Sequence, residues 1–173
     1  RIMNDREILV EESHHFSTRR EEYANILTHG VGAVLSLIAL CLMVGYAVRE
    51  HEAKLIAAVS IFGASLLLLY LMSTLYHVFQ DPRRKHFFRI LDHSSIYLLI
   101  AGSYTPFTLV FLEGRLGKGI LITTWVLAVC GIVFKVFFVK RFNLLSTGMY
   151  VAMGWLAIFA IKPLIEAAPT GAI

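Results

Sequence analysis

Five stretches of the chain, residues 30–48, 55–80, 94–112, 119–134 and 142–161, carry no Lys, Arg, Asp or Glu. Each is close to the roughly 20 residues needed to cross a hydrocarbon core of about 30 Å. The pattern therefore predicts five transmembrane helices, at about 23–48, 55–79, 90–112, 119–139 and 142–161. The fourth spans only if Lys135 and Lys140 carry their charges to the interface along their aliphatic stems. Connections at 49–54, 81–89, 113–118 and 140–141 are short, so consecutive helices are antiparallel neighbours. Thr18 and Glu21 match a capping box and start the first helix near Arg19. Asp81-Pro82 stops the second. A Pro at position 106, after Gly102-Ser103-Tyr104-Thr105, predicts a kink in the third.

Composition agrees with this reading and narrows it. The 173 residues are 57% hydrophobic and 16% charged, against about 25% charged in an average globular chain. An all-α integral membrane bundle follows, with residues 1–18 as a charged arm and 19–173 as one transmembrane domain. The arm has no apolar core of signal-peptide length, and His14 and His15 within it are read as exposed. The net charge of +4 sits between spans, which points to membrane lipids as the partner and away from nucleic acid. Of the 16 Lys and Arg, eleven lie on the side of the N-terminus and five on the other. The positive-inside rule then predicts a cytoplasmic N-terminus. Cys41 and Cys130 lie within apolar stretches and are read as unreactive packing residues, without a disulfide. Gly30, Gly32, Ala33 and Ser36 give the first helix a small-residue face for close helix contact. No feature of the pattern sets an oligomeric state.

Polar residues inside the spans carry the chemical information. His77 lies near the end of the second helix, with Ser73 four residues earlier on the same face. Asp92 lies as far inside the third, so the two helices bring His77 and Asp92 to one depth. Glu22, Asn25 and His29 share one face of the first helix at spacings of three and four. An ionised side chain at the bilayer centre costs roughly 2.5 to 3.5 kcal/mol, so these groups are expected to face the bundle interior. A hydrogen-bonded structural network near a wet interface is one reading. The other is a zinc site, since imidazole and carboxylate without thiolate suit zinc, and a zinc ion with an open position activates water near neutral pH. His77 would be the ligand, Asp92 the base or water holder, and Ser73 a hydrogen-bond donor one turn deeper. His93 points about 100° away from Asp92 and is read as a surface residue.

Three boxes carry a family resemblance: Glu22-Tyr23-Ala24-Asn25-Ile26-Leu27-Thr28-His29-Gly30, Ser73-Thr74-Leu75-Tyr76-His77, and the run from Leu91-Asp92 to Thr105-Pro106. In this order and spacing they resemble the bacterial hemolysin III family, which belongs with the progestin and adiponectin Q receptors and more distantly with the alkaline ceramidases. The likeness covers 21–163 and includes Gly148 to Trp155. It implies a seven-helix fold in the bacterial cell membrane, with a cytoplasmic N-terminus. It also implies zinc held by the histidine at His77 and by two histidines on the last helix, with Asp92 and Ser73 close to the metal's water. The sequence opens with Arg and ends at Ile173, shortly after the fifth span, so both of those histidines lie outside it. A longer protein is expected, with zinc bound by the complete form and not by these 173 residues alone.

The expected activity is hydrolysis of a lipid amide by zinc-activated water, with Asp92 as base and Ser73 supporting the oxyanion. The alternatives are a cytolytic, pore-forming protein, and a membrane-homeostasis sensor in which zinc only staples the helix ends. The spans read as permanently inserted, unlike the amphipathic segments of a secreted pore former.

Overall fold

The computed structural model describes residues 19–112, 114–138 and 143–167. All the elements among them are helical: α1 (Arg19–Arg49), α2 (Ala53–Val78), α3 (Pro82–Pro106) continued by a π-helical turn (Phe107–Phe111), α4 (Gly114–Phe138), α5 (Asn143–Trp155) and α6 (Ile158–Ala167). Among the described residues, five spans are long and apolar enough to cross a membrane, the fifth being 144–166. The chain is an all-α integral membrane bundle. The expected arm at 1–18, its His14 and His15, and the Thr18 cap lie outside the described residues.

α1 packs on α2, α2 on α3, and α3 on α4, while the fifth span rests on α3 and α4. α1 runs 31 residues, about 46 Å at 1.5 Å per residue, so it exceeds the hydrocarbon thickness and must tilt or project. Its small face meets α2 as expected: Ala33 and Ser36 are buried, and a Cβ on Gly32 would lie 2.6 Å from the Tyr70 ring. The outward face carries Leu27, Val34 and Leu42, all more than half exposed, as helices solvated by lipid require. Cys41 and Cys130 are free and also face outward, so they border lipid and do not fill the core.

α3 is the central helix. Tyr97, Ala101 and Thr105 are at most 1% exposed, and Tyr97 and Ala101 pack with Ala128 of α4 and Met153 of α5. Gly102 allows α3 to approach α2, because a Cβ there would lie 2.3 Å from the Ser65 hydroxyl.

Three boundaries differ from the sequence expectation. The basic stretch 83–89 is helix, not loop: Asp81 accepts from the Arg84 amide at 3.0 Å and Pro82 occupies the first turn, so this pair starts α3 as well as ending α2. α4 begins at Gly114 (φ +85°), five residues before the expected span, for the same reason that charge marks membrane depth and not helical geometry. Pro106 passes into the π-helical turn, where the Leu112 amide donates to the Phe107 carbonyl at 2.9 Å.

The fifth span is two helices, not one. At the break, three-residue steps replace the four-residue ladder, with Leu156 N to Met153 O and Ala157 N to Gly154 O, both 3.3 Å. The Tyr104 hydroxyl of α3 lies 2.9 Å from the Met153 carbonyl and 2.8 Å from that of Gly154. A partner outside the helix thus supplements the long three-residue bonds that these carbonyls accept at the break. A cavity of about 390 Å³ opens beside this break, bordered by Tyr104, Phe107, Thr108, Ala157 and Leu164.

Candidate functional site

Because α1, α2 and α3 alternate in direction, the start of α1, the end of α2 and the start of α3 meet at one end of the bundle. Glu22 enters from α1, and its Oε2 lies 2.7 Å from His77 Nδ1 on α2. Its second oxygen, Oε1, accepts from Lys85 Nζ on α3 at 2.8 Å. The three side chains are 14 to 20% exposed, so water screens the pairs only partly. An ionised carboxylate only accepts, so His77 donates from Nδ1, and the neutral imidazole keeps a lone pair on Nε2.

Rings enclose the same histidine. His29 lies parallel to His77, with centroids 5.8 Å apart and planes 5° apart, and Tyr76 meets it edge-on at 4.9 Å. Lys85 stands over the Tyr76 ring at 5.4 Å. His29 Nδ1 is buried and has no hydrogen-bond partner among the described residues. Glu22 and His29, which share one face of α1, both meet His77. Asn25 is half-buried on that face.

Ser73 is buried one turn before His77. Asp92, half-buried on α3, has Oδ2 3.6 Å from His93 Nδ1, too long for a hydrogen bond. The Asp92 carbonyl accepts from Ser95, and that of His93 from Tyr150 at 2.9 Å, which ties this turn to α5. The His93 side chain itself is 31% exposed. Among the described residues no three of His, Cys, Asp and Glu are grouped so as to hold a metal ion. Sequence reasoning missed Lys85. It falls in the connection expected at 81–89, and the signal that discloses it is its place one turn into the helix that Asp81 caps.

The family pattern described as "Haemolysin-III related" matches residues 17–172. The chain belongs to this family. Hemolysin-3 of Bacillus cereus is 52% identical over 147 residues, which are 85% of this chain and 67% of that protein. The Hemolysin-3 homolog of Bacillus subtilis (strain 168) is 53% identical over 147 residues, 85% of this chain and 69% of its own. Monocyte to macrophage differentiation factor of Homo sapiens is 24% identical over 140 residues, 78% of this chain and 58% of its own. No solved structure matches. The haemolysin-III related family thus covers both the boxes around His77 and Asp92 and the broken fifth span.

Proposed function

We propose that the complete protein holds a zinc ion at the basic end of its helices, with His77 as one ligand, and hydrolyses a lipid amide there. The observation that carries this reading is the chain Lys85–Glu22–His77. A metal-binding histidine typically donates its other ring nitrogen to a carboxylate, which fixes the tautomer and raises the basicity of the ligating nitrogen. His77 is held in that way by Glu22, and Lys85 keeps Glu22 in place. The further ligands come from outside the described residues; the resemblance implies two histidines on a last helix.

When bound, zinc supplies the Lewis acidity that activates water near neutral pH. His77 would hold the ion through the ring nitrogen that Glu22 leaves free. Asp92 accepts a proton as water attacks the amide carbon, and the Ser73 hydroxyl donates to the carbonyl oxygen. The C–N bond then breaks and the proton taken by Asp92 passes to the leaving nitrogen. We place this end of the bundle in the cytoplasm of a bacterial cell, on the eleven-to-five asymmetry of basic residues.

A second reading has its own support. The same three side chains tie α1, α2 and α3 together, so zinc at His77 would also staple these ends without chemistry. Metal analysis and a lipid-amide hydrolysis screen on the complete protein separate the two. The parent is expected to carry stoichiometric zinc, His77→Ala to lose it, and Asp92→Asn to keep the metal while losing hydrolysis. Ser73→Ala costs about 1 kcal/mol of transition-state stabilisation. Full zinc in His77→Ala overturns both readings, and stoichiometric zinc without hydrolysis of any amide leaves the staple.

A further inference from the structure

Lys135 is 2% exposed, yet it lies in α4 only three residues before the helix ends at Phe138. Its neighbours Val133, Val136 and Phe137 are at least half exposed and turn towards lipid, so the lysine stands near the hydrocarbon boundary but points inward. Lys135 belongs to none of the ion pairs among the described residues. Arg89, a second cation, lies in the first half of α3, at the end of the bundle where α4 finishes.

The helix register places a third group here. A Cβ on Gly131 would lie 2.2 Å from the Tyr97 ring, so Gly131 and Tyr97 are at one depth on antiparallel helices. Four residues further along α4 is Lys135. Three residues back along α3 is Ser94, on the face of Tyr97, and eight back is Arg89. Ser94 is 6% exposed, and its hydroxyl has no hydrogen-bond partner among the described residues. Two cations and an unused hydroxyl therefore lie at the same end of the α3–α4 seam. Like charges in a poorly screened site repel, and an anion between them removes that repulsion and satisfies the hydroxyl.

We propose that this seam is a binding site for a phosphate anion, met in the membrane as the headgroup of an anionic phospholipid, with Lys135 and Arg89 supplying charge and Ser94 a hydroxyl. Basic pockets between helices at a membrane's charged face bind anionic headgroups in this way. The lysine's long stem carries the ammonium towards headgroup depth. The site is separate from Lys85–Glu22–His77 and does not depend on zinc.

Native mass spectrometry of the complete protein tests it, with phosphatidylglycerol and phosphatidylcholine of the same acyl chains as probes. The parent is expected to retain phosphatidylglycerol over phosphatidylcholine. Lys135→Met is expected to weaken this about tenfold, the loss of one charged hydrogen bond. Lys135→Arg retains binding, and Arg83→Gln, at an exposed position of the same end, changes it little. Thermal protection by inorganic phosphate alone, lost in Lys135→Met, supports the anion site with a free-phosphate source. If Lys135→Met fails to accumulate, Arg89→Gln carries the same expectation. Undiminished phosphatidylglycerol binding in the variant that accumulates, or equal retention of phosphatidylcholine by the parent, overturns the proposal.

Discussion

Glu22 and His77, 55 residues apart in the chain, share a 2.7 Å contact between a carboxylate oxygen and Nδ1. This pair sets which imidazole nitrogen is free, so its removal should act on metal binding more than on the fold. In the complete protein, Glu22→Gln is expected to lower zinc affinity by about 10- to 100-fold, the usual effect of losing a ligand's outer hydrogen-bond partner. A competition titration with a zinc chelator measures it. Affinity equal to the parent would show that Glu22 does not orient the ligand.

Tyr104 serves a different purpose, because its hydroxyl reaches the carbonyls of Met153 and Gly154 where the fifth span breaks. Tyr104→Phe should remove this second hydrogen bond while the amides of Leu156 and Ala157 remain, which costs about 0.5 to 1.5 kcal/mol. The melting temperature should fall, and amide exchange should quicken at 153–160. Tyr23→Phe, at a position 72% exposed, is the control and should change neither.

These two contacts show what the sequence discloses and what it hides. The absence of charge across five stretches reveals the spans, because burying charge in hydrocarbon is costly whatever the tertiary structure. The face of Glu22, Asn25 and His29 is legible for the same reason. The break at 156–157 is not, since hydrophobicity reports depth and a helix interruption depends on Tyr104, some 50 residues away, meeting the carbonyls at the break. Lys85 is hidden similarly. Its charge reads as loop until Asp81 and Pro82 are recognised as a helix start, and its partner lies 63 residues earlier. Lys135 looks like a boundary lysine with its charge in water, but α4 turns it towards α3.

Packing at Gly131 supplies a further test. The Tyr97 ring against it is fully buried, and its hydroxyl lies 3.2 Å from Ser146 Oγ, so the ring has little freedom to move aside. Gly131→Ala would set a Cβ 2.2 Å from that ring and is expected to destabilise by about 1 to 3 kcal/mol, as overpacked cores do. Gly45→Ala meets nothing within 4 Å and should be neutral or slightly stabilising. Thermal unfolding of both variants in one detergent compares them, and equal midpoints would refute the close approach of α3 and α4.

Orientation follows from charge and can be read by labelling. Arg83, in the first turn of α3, and Arg115, in the first turn of α4, are both exposed and lie at opposite ends of a membrane-spanning helix pair. Basic residues are retained on the cytoplasmic side, and eleven of the 16 lie at the end that holds Arg83 or are assigned to it by the chain's alternation. Cys41 and Cys130 face outward and would compete for reagent, so both are replaced by alanine first; exposed apolar positions tolerate this within about 0.5 kcal/mol. In that background, Arg115→Cys should react with an impermeant maleimide added to intact cells, and Arg83→Cys only after the cells are opened. The neighbouring Lys85 is left untouched because its bond to Glu22 is part of the proposed site. Labelling of Arg83→Cys but not Arg115→Cys from outside would invert the bundle and place His77 on the external face.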